Sequence, residues 1–344
     1  MTASPRIDLR SDTVTKPSPA MRRAMADAEV GDDVLDGDPT TRRLEARIAT
    51  LLGMEDALFF PSGTQANQTG VALLTSPGTE LLIEANAHLV HYELAGAAAL
   101  SGVQIRPITT PDGLLTPDLV RGALRPASPH MPRVSALAVE NTHNAAGGRV
   151  LRPEAMDGLV QAARSAGLPV HLDGARLWNA AAAAGVPPSR LARGADTVMV
   201  SVSKGLGCPV GSCLAFKREL RPRAWEIRKR LGGGMRQSGI LAAAALYALD
   251  HNLQRIEEDH ANARRLAELL SDCPAVRPSL PETNILMLDL VREADSSETA
   301  TPRLAQAGVL VVRFGPRRLR AVTHLDASRA DVERAARLIA EALR

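Results

Sequence analysis

The chain has 344 residues, 45% hydrophobic and 23% charged, the balance of an ordinary globular protein of about two or three domains. Aromatics make up only 2%, so the core has to be built mainly from Ala, Leu and Val. The formal charge is +3 and the pI near 9.0, but the two signs are interspersed and no basic run alternates with aromatics, which argues against a nucleic-acid partner.

The first residues, MTASPRIDLRSD, contain no apolar run and do not read as a signal peptide. No stretch approaches the ~18 consecutive apolar residues of a membrane span, and a cytoplasmic location is expected. Cys208, Cys213 and Cys273 have no metal-site or CxxC spacing and read as buried thiols of a reducing compartment. The acidic run EVGDDVLDGDPT lacks the spacing of a calcium loop, so no metal is expected there and the run reads as a solvated loop.

Short apolar runs then alternate with helical patterns. The segment 57–60 reads as a strand that ends at Gly63 and Thr64, where a helix over 64–74 begins; its first N–H groups can cradle a phosphate. An ordinary capped helix would look the same. Strands follow at 80–85 and 103–108, with His88 beyond the first. His130 precedes the strand at 134–141 and His143 follows it; each of the three histidines is equally compatible with plain packing or solvation, although imidazole is well suited to move protons near neutral pH. After a helix over 153–166, the strand 168–174 carries Asp173 near its end, with Arg176 three residues on. An ionised carboxylate among apolar flanks needs a cationic partner: Arg176 itself, or a protonated pyridine nitrogen. The strand 197–202 runs into Ser203, Lys204, Gly205 and Gly207, a turn that can aim an amine into a cavity as a carbonyl nucleophile, or leave it solvated. Lys229 and Arg236 flank three glycines, an arrangement suited to an anion or to a mobile loop.

Beyond this point the pattern changes. One helix is expected from Ser238 to Leu270, then strands at 284–290, 308–313 and 318–324, and a last helix capped by Ser328. The expectation is an α/β fold: a large domain over 1–240 around a mostly parallel sheet, and a small C-terminal α/β domain over 241–344. A phosphate cradle, a strand-end acid and a strand-end lysine, in that order, meet the three needs of one cofactor.

The segments IDLRSDTVT, VGDDV…DPT, SGTQANQ, VENTHN, HLDGAR, SKGLGCPVGS, GGGMRQSGILAA, EDHANA, TNIL and VTHLD resemble, in order and spacing, the low-specificity L-threonine aldolases. The resemblance runs from about Ile7 to beyond Asp326. It implies a fold-type-I, pyridoxal 5'-phosphate-dependent enzyme with a large domain of seven strands, which cleaves L-threonine and L-allo-threonine to glycine and acetaldehyde. It further implies Lys204 as the Schiff-base lysine and Asp173 as the partner of the pyridine nitrogen. Gly63 and Thr64 would hold the phosphate, with Lys229 and Arg236 reaching it from a neighbouring subunit of a homotetramer. His88 would lie over the ring; Ser11, Arg176 and Arg320 would grip the substrate carboxylate; His88 and His130 would lie near its β-hydroxyl. Arg176 would thus border cofactor and substrate alike. One position departs from the pattern: Leu35 stands where the family commonly has a tyrosine, which puts any substrate contact made there in doubt. A β-eliminating lyase on the same cofactor, or a non-catalytic protein that binds it, would share much of this site.

Overall fold

The computed structural model describes residues 6–126 and 128–344. Seven strands form the large sheet: β1 (Asp56–Phe60), β2 (Glu80–Glu84), β3 (Gln104–Ile108), β4 (Val134–Glu140), β5 (Val170–Gly174), β6 (Thr197–Ser201) and β7 (Ser212–Phe216). Their spatial order is β1-β7-β6-β5-β4-β2-β3. All pairs are parallel except those of β7, which runs antiparallel to both β1 and β6. The six runs read as strands in this region form strands. The seventh, Ser-Cys-Leu-Ala-Phe, shows neither a β-branched run nor alternation, and it becomes a strand because its two neighbours bury it on both sides. Every residue of β2, β5, β6 and β7 is buried, which is why these strands read as continuous apolar runs rather than alternating ones.

The helix Gly239–His251 packs its alanines into the large core, and the helix Ile256–Leu270 presents Leu266 and Leu270 to the core of the small sheet. The single helix expected from Ser238 to Leu270 is therefore two. The break falls at Asn252, whose side-chain amide donates to the Leu206 carbonyl at 2.8 Å and ties the corner to the turn after Lys204. The small sheet is antiparallel, ordered Val312–Arg313, Arg318–Val322, Ile285–Leu290, Val276–Pro278. The strand expected over 308–313 is also divided: Val309–Leu310 pairs in parallel with Ile7–Asp8, and only Val312–Arg313 joins the small sheet. That pairing stitches the N-terminal segment to the C-terminal unit. Ser328 caps the last helix, Arg329–Ala342, with a full capping box.

This architecture places the carboxyl ends of the parallel strands, with Glu84, Glu140 and Asp173, along one edge of the sheet, where open α/β sheets bind ligands. The N-terminal segment and the strand bearing Arg320 meet that edge.

Candidate active site

Asp173 lies beside Glu140 in the β4–β5 register, and both carboxylates are buried. Asp173 accepts from the Ala175 N–H at 3.0 Å and from the Asn67 side-chain amide at 2.8 Å. Glu140 accepts from the backbone N–H groups of Asn144 (2.8 Å) and His88 (2.6 Å), fixing where the His88 turn begins. Burial pushes the Glu140 carboxyl upward, and Asp173 adds to the effect. His88 Nδ1 lies 3.0 Å from Glu93, a buried acid, and its ring stacks on Tyr92 at 5.3 Å between centroids. Burial alone would lower the His88 pKa, but the hydrogen bond to Glu93 and the field of Asp173 carry it above its ordinary value. Ligand atoms of His88, Glu93 and Asp173 all lie within 4.8 Å of one another, close enough to suggest a metal cage. The Asn67 amide nitrogen, 2.8 Å from both carboxylates, sits between them and presents N–H groups where a cation would need to be.

Lys204 leaves β6 in a turn closed by Gly207 N–H on the Lys204 carbonyl, and Thr15 of the N-terminal segment donates to the same carbonyl at 3.3 Å. Its amine has no hydrogen-bond or ion-pair partner among the described residues. Burial and the nearby Arg176 guanidinium push its pKa down to about 8.

Arg176 is buried and engaged in a fork on Asp12, with Nε and Nη2 each 2.8 Å from a carboxylate oxygen. Burial raises the cost of charging Asp12, yet Arg176 holds its carboxyl well below the usual range. Arg176 Nη1 (3.3 Å) and Arg320 Nη1 (2.9 Å) both donate to Asn144 Oδ1, so the two cations converge on a single acceptor. Burial and the Arg176 charge lower Arg320 to about 10, and its buried Nε–H has no partner among the described residues. Arg320 also donates to the Arg10 carbonyl, and Ser11 lies between Arg10 and Asp12 on this rim.

At the start of the helix Gly63–Leu74, Ser62 caps the Gln65 N–H and leaves those of Gly63 and Thr64 free. Ser62 and Thr64 face solvent, and the hydroxyl of buried Ser212 on β7 has no partner. The three-glycine loop packs close by, with the Gln65 side chain donating to the Leu231 carbonyl at 2.7 Å. Lys229 is exposed, and Arg236, also exposed, reaches Asp32 at 3.3 Å. The buried cation of this region is Arg228, which donates to the Phe59 carbonyl and pairs with Asp33, both at 2.8 Å.

The chain thus brings together Lys204, Asp173, His88, Arg176, Arg320 and Ser11. It does not bring His130 to them: that residue sits on an exposed loop and bonds through its backbone to Ser128. His143 lies instead against Glu84, 2.9 Å away, and burial lifts the Cys208 and Cys213 thiols out of reactive range. Leu35 is exposed. Sequence reasoning passed over Asp12, Asn67, Glu93, Asn144 and His171. Four of these fall inside the quoted motifs; Glu93 does not, and only its burial marks it.

An α/β large sheet with a small antiparallel unit and a lysine at a strand exit is the architecture of a solved Leishmania major threonine aldolase, which superposes with a TM-score of 0.83 at 20% identity over 98% of this chain and all of that one (100%). An aspartate aminotransferase from Rhizobium meliloti shares the fold at a TM-score of 0.74 and 16% identity, over 99% of this chain and 92% of that one. A family model described as beta-eliminating lyase matches residues 8–293. Low-specificity L-threonine aldolases from Escherichia coli K12 and Arabidopsis thaliana are 42% and 40% identical, over 94% and 95% of this chain and 95% and 93% of theirs. The chain belongs to the beta-eliminating lyase family and, within it, to the low-specificity L-threonine aldolases.

Proposed function

We infer that the protein is a lyase that cleaves L-threonine, L-allo-threonine and related L-β-hydroxy-α-amino acids to glycine and an aldehyde, with pyridoxal 5'-phosphate as its cofactor. The observation that carries this reading is the approach of an unpaired, pKa-lowered Lys204 to a buried acid floor on one side and two converging arginines on the other.

The residues fit the cofactor. Lys204 offers a free amine for its aldehyde carbon and Asp173 a carboxylate for its ring nitrogen. The uncapped N–H groups of Gly63 and Thr64, with the unpartnered Ser212 hydroxyl nearby, suit its phosphate. Exposed Lys229 and Arg236 are assigned to the same phosphate, offered across a subunit boundary in a cytoplasmic homotetramer. Bound there, the cofactor supplies an electron sink for the broken bond.

The chain's own residues do the rest. Arg176 and Arg320 grip the substrate carboxylate at the position where both now meet Asn144 Oδ1, and Ser11 lines that rim. Fixing the carboxylate sets which bond at Cα stands ready to break. His88 bonds Glu93 through Nδ1–H, leaving Nε2 bare to accept the β-hydroxyl proton, directly or through a water, as the Cα–Cβ bond opens. A proton returned to Cα completes glycine. His130 has no part in this within one chain; its place near the substrate requires a neighbouring subunit.

The family model's own description favours a second reading, β-elimination, and the products separate the two. Incubation with L-threonine, L-allo-threonine and L-phenylserine should release aldehyde and glycine, with loss of both activity and the visible cofactor band in Lys204→Ala. A 2-oxo acid and ammonia in place of glycine would overturn the aldolase reading.

A further inference from the structure

Asn67 and His171 lie behind the site, and neither has a role in the reaction as described. His171, on β5, is wholly buried and its pKa is pushed down to about 4, so its ring is neutral and carries one proton. Its Nε2 lies 3.1 Å from Asn67 Oδ1, which can only accept, so the proton sits on Nε2. Nδ1 then accepts from the Thr197 hydroxyl at 2.8 Å on the neighbouring strand. This fixes the Asn67 amide in one of its two orientations. Both of its N–H bonds point away from His171, one to Asp173 Oδ2 and one to Glu93 Oε1, each at 2.8 Å. The flipped amide would set an oxygen between two carboxylates.

The next residue on the same helix, Gln68, donates to Glu93 Oε2 at 2.7 Å, so Glu93 is held at both oxygens and presents Oε1 to His88 Nδ1. Two glycines clear the space. A Cβ on Gly70 would stand 2.5 Å from the His171 ring, and one on Gly96 would stand 2.7 Å from the Gln68 amide carbon. Either would require the network to move.

We propose that Asn67, locked by His171, is a positioning residue that couples the two acids of the site, holding Asp173 toward the cofactor and Glu93 toward His88 so that the His88 proton stays on Nδ1. The proposal rests on the cofactor and base assignments above and adds the groups that set them. A single buried amide then governs both the electron sink's partner and the tautomer of the base.

The test uses full-length protein stripped of cofactor and reloaded with pyridoxal 5'-phosphate, and reads cofactor Kd, kcat and KM for L-threonine. Asn67→Asp keeps the shape of the side chain but replaces an N–H donor group with oxygen. His171→Leu removes the donor to Asn67, whereas His171→Gln retains an N–H near the Nε2 position. Asn67→Asp and His171→Leu should each weaken cofactor binding and lower kcat by roughly tenfold or more, with KM changed less than about threefold. His171→Gln should stay within about threefold of the parent. Equal impairment in His171→Gln and His171→Leu would reduce the network to packing and overturn the proposal, as would an Asn67→Asp enzyme with parental Kd and kcat. Should one variant not fold, the remaining comparison still decides. A parent that binds the cofactor but leaves threonine intact would count against the aldolase reading alone, because the Kd comparison stands without substrate.

Discussion

Asp173, Glu93 and Glu140 form the floor of the site from within the large-sheet unit, and nearly all their hydrogen bonds come from neutral donors: backbone N–H groups and the amides of Asn67 and Gln68. Arg176 and Arg320 form the rim differently. They depend on Asp12 from the N-terminal segment, Asn144 from the loop after β4, and a strand of the small sheet. The floor is complete once the large sheet has formed, whereas the rim exists only when three separate parts of the chain have docked. Placing the acids on rigid strand ends fixes the cofactor's surroundings. Placing the substrate cations on a seam lets substrate binding draw on how that seam closes.

The sharpest way to break this contrast is Asp12→Ala. Arg176 would be left as a buried cation without its fork, at a cost of about 3–5 kcal/mol in unfolding free energy, measured by denaturant titration. A floor substitution that leaves charges matched should cost far less. On the floor itself, His88→Ala should lower kcat on the order of 10²-fold with cofactor affinity nearly kept. An undiminished kcat would assign the proton to another group. On the rim, Arg320→Ala should raise KM for threonine by about tenfold or more, with little change in melting temperature, since its carboxylate contact is made only with substrate present. The smallest effect concerns the lysine between the two regions. Only the neutral amine attacks a carbonyl, so the rate at which the stripped protein takes up cofactor should climb as pH rises toward about 8 and flatten above it. A lysine at its ordinary value would keep climbing toward pH 10.5, and stopped-flow absorbance distinguishes the two profiles.

The floor was only partly legible in the sequence. Lys204 and Asp173 announce themselves as ionisable residues at the ends of apolar runs, and the Gly63–Thr64 turn by its place between strand and helix. Asn67 and His171 give no such signal: a polar residue one helical turn inside Gly63–Leu74 looks like surface until the fold shows it buried among acids. The rim was legible as a set of residue types through the family resemblance, but the Asp12–Arg176 fork was not, because 164 residues separate its partners. β7 escaped for a related reason. Its five residues carry weak strand signals of their own and take their conformation from β1 and β6 on either side. The division of the expected 238–270 helix likewise depends on Asn252 reaching Leu206, a contact made by tertiary packing.

The position of β7 has a further consequence, for the order in which the molecule comes together. Strands β2 to β6 can pair as they emerge during synthesis, each close to one already made. β1, made before them all, has only β7 as a sheet partner and must wait until residue 216 is available to it. β1 leads directly into the Ser62–Thr64 turn, and β7 follows directly from the Lys204 turn. The last pairing of the large sheet therefore joins the phosphate end of the cofactor site to its lysine. Such long-range closure is the slow kind, and a newborn chain is unable to capture its cofactor until that final strand has slid between its two neighbours.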